Sequence, residues 1–264
     1  MSDLRIDAYC HVGLPRFGTV EDAWVVLKQA GIERAVFVLG PGVPDYATLF
    51  SALRYYGERA RGVGIPFGET FDQVRASVML QLRAGVLGFR VEPQALLAYP
   101  ALWETVGTQG RWLYAIGAFS APEATRALLD WLERFPEGQV AAPHCLSPEP
   151  FLTGMAADDA RRALASHPRF YPIFSRHGGV GSHEPYPHRD LRPWVEQLID
   201  LAGPDRMMWG SEYPVLFWRD ETLGRCLGWL EALLAEAFGS EARRAFLGGN
   251  AHRVFFGRPA PPAW

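Results

Sequence analysis

Short apolar runs alternate with stretches of helical periodicity from one end of the chain to the other. The runs at 4–11, 34–39, 60–66, 86–91, 112–118, 139–144, 170–175 and 206–210 are short and rich in aliphatic and aromatic residues, and they read as strands. Between them the spacing changes. Ala124, Ala127, Leu128, Trp131, Leu132 and Phe135 fall at i, i+3, i+4, i+7, i+8 and i+11, which makes one apolar face of a helix. Ser120 followed by Glu123 reads as the capping box that opens this helix. Thr19 and Asp22 do the same for an earlier helix that Gly31 closes. Residues 71–84, 191–202 and 222–238 read as further helices. Strand–helix alternation of this kind predicts a parallel sheet closed on itself, a (β/α)8 (TIM) barrel, with an open doubly wound sheet as the alternative. No linker divides the chain, so residues 1–257 are expected to form one barrel domain. The Pro-rich stretch 258–264 is expected to be a surface tail.

Composition narrows this picture. The chain has 264 residues, 48% apolar and 21% charged, close to the size and make-up of a single barrel. A net charge of -3 gives no basic footprint for nucleic acid. No signal peptide or membrane span is expected, since no apolar run is long enough. Cys10, Cys145 and Cys226 are too few and too scattered for a disulfide framework or a zinc ribbon, and a reduced, cytoplasmic setting is expected. Lys28, the sole lysine, falls in a predicted helix, which removes Schiff-base aldolase and pyridoxal-phosphate chemistry from consideration.

Barrel enzymes work at the C-terminal ends of their strands. Tyr9 and His11 stand two apart at the end of the first predicted strand and so share a face; Cys10 and Cys145, alternating with His11 and His144, should face away as packed thiols. His144 ends the sixth strand, and Glu212 follows the eighth in Met208-Trp209-Gly210-Ser211-Glu212-Tyr213-Pro214. Taken singly, each has a plain structural reading, as a buried polar pair, a strand end or a helix cap. Three strand ends each delivering an ionisable group favour a site. Arg90, ending the fourth strand, offers either a carboxylate-binding fork or a salt bridge to Glu92 or Glu69. The longest stretch without periodicity, 176–190, carries Arg176, His177 and three glycines; it reads as a lid over the mouth, more mobile than the barrel, with a glycine-rich anion cradle as the weaker alternative.

In this order the residues Ile6 to His11, Pro143-His144, Arg206 to Pro214 and Gly249-Asn250-Ala251-His252-Arg253 resemble successive landmarks of the amidohydrolase-related (amidohydrolase-2) family. Members of that family begin with Ile-Asp-x-His-x-His, carry a histidine at strand six, end strand eight with Gly-Ser-Asp-x-Pro and follow it with Gly-Asn-Ala-x-Arg. Gly31 to Val36 and Gly88-Phe89-Arg90-Val91 are also similar. Three departures stand out. Tyr9 occupies the place of the first histidine, Glu212 that of the aspartate, and strand five has no histidine. The pattern comes nearest to the 2-pyrone-4,6-dicarboxylate lactonase-like branch.

The resemblance implies a hydrolase opening a small carboxylated lactone or related cyclic substrate. Glu212 would be the general base for water, and His144 and His11 would polarise the carbonyl. Tyr9, Arg90, Arg176 and His177 would bind an anionic small molecule. His11, His144 and Glu212 would be the ligands if one divalent metal, zinc, were bound, with His177 in reserve. The three departures predict that such binding is weak or absent. The alternatives are a non-oxidative decarboxylase of an unsaturated or aromatic acid, and a non-catalytic barrel that keeps a ligand pocket. A homo-oligomer is compatible with all three.

Overall fold

The protein was analysed as a computed structural model, which describes residues 4–145, 155–175, 182–234 and 239–257. Eight strands follow one another in a single parallel sheet whose spatial order is the chain order. They are β1 (Ile6–Val12), β2 (Arg34–Leu39), β3 (Ala60–Gly64), β4 (Gly88–Val91), β5 (Trp112–Ala115), β6 (Gln139–Ala142), β7 (Phe170–Phe174) and β8 (Met208–Trp209). The helices are α1 (Val20–Gln29), α2 (Tyr46–Tyr56), α3 (Phe71–Arg83), α4 (Pro93–Ala98), α5 (Pro100–Thr108), α6 (Pro122–Arg134), α7 (Met155–Ser166), α8 (Arg192–Ala202), α9 (Leu223–Leu234) and α10 (Ser240–Arg244). No described helix is long and apolar enough to cross a membrane.

The sheet closes between β8 and β1. Glu212 N–H donates to Tyr9 O at 2.8 Å, and His11 N–H donates to Tyr213 O at 2.6 Å. Asp7 reinforces this seam. Its Oδ1 accepts from the backbone N–H of Ser211 at 3.0 Å and of Tyr9 at 3.1 Å, and its Oδ2 bonds the Ser211 hydroxyl at 2.5 Å. Gly210 is glycine because the strands run so close here. A Cβ at this position would stand 2.9 Å from Tyr9 Cβ and 3.0 Å from Ile173 Cγ2.

Alternation along the strands sorts the core into two layers. Val36, Val38, Val63, Trp112, Tyr114, Ile173 and Met208 pack inside the barrel, whereas Phe37, Leu39, Phe89, Leu113, Phe174 and Trp209 pack outside against the helices. Cys10 and Cys145 belong to the outer layer, where burial pushes the Cys145 thiol up to about 12. All three cysteines are free. The register of β1 shifts between Asp7 and Cys10, and beyond this irregularity Tyr9 faces the interior.

Local capping matches the sequence at α1, where Thr19 and Asp22 form the reciprocal box and Gly31 follows with φ 72°. At α6 the expectation fails. Pro122 takes the first helical position, the cap falls on Ala121, and the buried Ser120 hydroxyl has no partner among the described residues. A proline at that position fixes the helix start one residue beyond the serine. β5 and β6 also end sooner than expected, at Ala115 and Ala142, because the chain turns off each strand there. His144 therefore sits in a turn beyond β6.

Residues 182–190 of the stretch expected to be a lid lie within the described residues, and they are tied down. Asp190 accepts from the Ser182 hydroxyl at 2.6 Å and from the His183 N–H at 2.7 Å, Trp229 Nε1 donates to Pro187 O at 3.0 Å, and His188 is buried. Aromatic anchoring on α9 supplies the packing that the lack of periodicity concealed. Residues 176–181, with the glycines of the anion-cradle reading, and the tail 258–264 lie outside the described residues.

Candidate active site

Four expected side chains meet where the strands end. The Glu212 carboxylate, 1% exposed, directs Oε1 to His144 Nε2 at 3.5 Å. The Tyr9 ring packs edge-on against both imidazoles, its centroid 4.9 Å from that of His11 and 5.1 Å from that of His144. Tyr114, from β5, stacks on Tyr9 at 6.4 Å. Arg90 is paired in register with Tyr114 and so faces the same interior. Its guanidinium lies 3.8 Å from the exposed Glu92 carboxylate, a screened contact, while its Nε is buried without a partner among the described residues. Arg176 and His177 lie outside the described residues.

The backbone is strained at both central residues. His144 has φ 63° and Glu212 has φ 57°, in the left-handed region that side chains other than glycine enter at a cost of about 1–3 kcal/mol. Each is held there by a bond to an adjoining strand or strand end: Glu212 N–H reaches Tyr9 O, and His144 N–H reaches the Ser175 hydroxyl oxygen at 2.9 Å.

Hydrogen bonds fix the imidazoles. His11 Nδ1 lies 3.1 Å from Val38 O, which can only accept, so Nδ1 carries a proton. In the neutral ring Nε2 is then an acceptor. His144 is set the other way. Its Nδ1 lies 3.0 Å from the Ser175 hydroxyl and its Nε2 faces an acceptor, the Glu212 carboxylate. With Ser175 donating, Nε2 of the neutral ring bears the hydrogen. Arg219 contacts the other Glu212 oxygen, Oε2, through Nη2.

Ser175, Arg219 and Asp7 were not singled out from sequence. Ser175 closes the seventh predicted strand, so the strand-end rule that picked His144 could have found it. Arg219 lies in the 3-10 turn Val215–Arg219, where no periodicity points to it. Asp7 stands inside the family-like first motif but serves the seam. Burial pushes its carboxyl up to about 7, against the hydrogen bonds from Ser211 and Tyr9 that pull it down.

A parallel barrel with a carboxylate, imidazoles and arginines at its C-terminal mouth defines a class of barrel enzymes, and comparison with known proteins agrees. An amidohydrolase family model matches residues 11–257, and the chain belongs to that family. A curated L-fucono-1,5-lactonase from Burkholderia ambifaria is 32% identical over 154 residues. That match takes in 55% of this chain and 51% of the relative, so the chain spans about half the length of the curated relative it matches. Among solved structures, a putative 2-pyrone-4,6-dicarboxylic acid hydrolase from Pseudomonas putida superposes with a TM-score of 0.72 at 21% identity, over 97% of this chain and 98% of the other. An amidohydrolase from Burkholderia multivorans with bound zinc gives 0.69 at 17% identity, over 97% and 100%. These likenesses establish the fold.

Zinc in a structural neighbour raises the question of fit. Among the described residues no group of three or more His, Cys, Asp or Glu side chains is placed to hold a metal ion. The donor set gives the reason. The Tyr9 ring packs edge-on against both His11 and His144, and a guanidinium already sits on the second oxygen of Glu212. A divalent ion next to Arg219 would also meet charge repulsion. The described residues do not by themselves fit a divalent metal, and the reserve ligand His177 lies outside them.

Proposed function

We propose that the protein is a lactonase-like hydrolase that opens a small cyclic ester by adding water activated at Glu212. The observation that carries this reading is the buried Glu212 carboxylate, held by strained backbone at the barrel mouth with one oxygen facing His144 at 3.5 Å. Membership of the amidohydrolase family and the partial match to a curated lactonase support it.

The chemistry follows from the donors and acceptors. Glu212 Oε1 takes a proton from water as the water oxygen bonds to the ester carbonyl carbon. The negative charge that develops on the carbonyl oxygen needs donors, and the Nε2–H of His144 supplies one. Neutral His11 presents an acceptor at Nε2, so in this reading it orients water rather than polarising the carbonyl. Collapse of the tetrahedral intermediate breaks the ring C–O bond, and Glu212 returns its proton to the departing alkoxide, giving a hydroxy acid. Arg90, whose buried Nε has no partner among the described residues, would bind a carboxylate on the substrate.

The test is a panel of charged and uncharged lactones, with an aromatic acid included for decarboxylation, assayed with purified protein before and after chelation. Ring opening that survives chelation and falls about 10²- to 10⁴-fold in Glu212→Gln is expected. Stoichiometric zinc, with activity lost to chelation and restored by zinc, would replace this scheme with a metal-dependent one. Carbon dioxide release without ring opening would favour decarboxylation, and turnover of nothing on the panel, a ligand-binding barrel.

A further inference from the structure

We infer that Arg219 is a positioning residue for Glu212, which holds one carboxylate oxygen so that only the other is offered to the reaction. The inference rests on the reading of Glu212 as base. Glu212 Oε2 is engaged by Arg219 Nη2, and Oε1 is directed at His144. A glutamate has one more rotatable bond than the aspartate usual in the family. Left to itself, its carboxylate would sample several orientations. The guanidinium removes that freedom.

The chain between the two residues is built for this task. The 3-10 turn Val215–Arg219 is bonded back to the glutamate itself, Leu216 N–H donating to Glu212 O at 3.2 Å, and Leu216 is buried. The turn stops at Asp220, whose φ of 56° redirects the chain right after Arg219. On its outer side, half-exposed Trp218 stacks on Phe17 at 5.7 Å. The Arg16 guanidinium covers both rings, 5.2 Å from Phe17 and 5.3 Å from Trp218. Phe17 in turn packs on His11 at 5.1 Å. With Trp218 pinned outward by this stack, its neighbour Arg219 is turned inward, and the same aromatic ring that braces His11 braces the turn that holds Glu212. An arginine serving only as a surface ion pair would need none of this bracing.

Three variants, read by crystal structure and by kinetics, decide it. In a crystal structure of Arg219→Met, the Glu212 carboxylate should leave the orientation that faces His144, while the backbone of the barrel stays unchanged. On whichever lactone the wild type opens, kcat should fall about 10- to 100-fold with KM unchanged. Arg219→Lys should keep part of the rate, and millimolar guanidinium ion should restore part of it to Arg219→Met. Trp218→Ala, a change at a half-exposed site, should give a smaller kcat loss of the same kind and serves if Arg219→Met does not fold. A Glu212 carboxylate unmoved in Arg219→Met, or a rise in KM with kcat preserved, would overturn the inference, the second by making Arg219 a substrate contact. If the wild type opens no lactone, the functional reading fails, and the orientation of Glu212 in the variant still decides the positioning.

Discussion

The two ends of the barrel use arginine in opposite ways. At the end where the strands begin, arginines are spent on backbone carbonyls. Arg206, just before β8, donates to Phe170 O and Leu201 O at 3.1 Å and to Ser166 O at 3.3 Å, and it also reaches His167 O. Arg169, just before β7, reaches Phe135 O and Gly138 O, both at 2.6 Å, and Arg61 in β3 ties Phe255 O at 2.8 Å. These side chains join strand starts to the ends of neighbouring helices. At the mouth, Arg90 and Arg219 each touch one carboxylate and each keep a buried Nε without a partner among the described residues. A buried donor left unmade is costly in a purely structural setting. Arg111, just before β5, shares such an Nε, so it is the carboxylate contacts at one end and the dense carbonyl ligation at the other that separate the face that does chemistry from the face that holds the barrel together.

The sharpest way to break this contrast is Arg206→Ala. It strands several carbonyls at once and should cost about 2 kcal/mol of stability in urea unfolding, with kcat and KM unchanged on any lactone that turns over. A variant as stable as the wild type would mean that the strand-start arginines are surface decoration. Next in size is Arg90→Met. It should leave stability unchanged and raise KM about tenfold for a carboxylated lactone, with no effect on an uncharged one, since a charge-assisted bond of this kind contributes roughly 1.5–3 kcal/mol. Equal effects on both substrates would assign Arg90 to Glu92 instead.

The pH dependence of stability sharpens the border between the two regions. Asp7 lies on the seam, buried, with its carboxyl raised to about 7 from an unfolded value near 4. The folded protein therefore holds this proton more tightly than the unfolded chain does. The stabilisation is fully present below about pH 4, is lost as pH rises toward 7 and is absent above it. Asp7→Asn keeps an acceptor for the two N–H groups and a donor for Ser211, so melts between pH 5 and 8 should slope downward for the wild type and less for the variant. Parallel slopes would show that Asp7 does not carry the dependence.

Much of this was legible in the sequence, and the reasons for the rest are physical. Strand ends deliver side chains to one face, so Tyr9, His11, His144 and Glu212 could be chosen before any coordinates, as could the outward turn of Cys10 and Cys145. Hydrogen-bond partners follow no such period. Ser175 sets the His144 ring, and Arg219 holds Glu212 from an irregular turn whose inward direction depends on Trp218 stacking against a residue some 200 positions earlier. The Ser120 cap failed because a proline two residues later outranked it. The described part of the stretch after β7 turned out to be anchored because its contacts, Trp229 among them, come from another helix.

The seam has a consequence for how the molecule comes into being. Glu212 is held by the carbonyl of Tyr9, and His11 by that of Tyr213, so the reactive groups are fastened across the join between the first and last strands. These bonds join residues some 200 positions apart, and the loop-closure entropy of such separations must be met before the contacts stabilise the fold. A chain emerging from the ribosome holds Tyr9 and His11 long before their partners exist. Until residue 213 has been made and docked, the first strand has no neighbour on that side and Glu212 no orientation. Competence to react and completion of the barrel are then one event, and a chain truncated before β8 would lose both together.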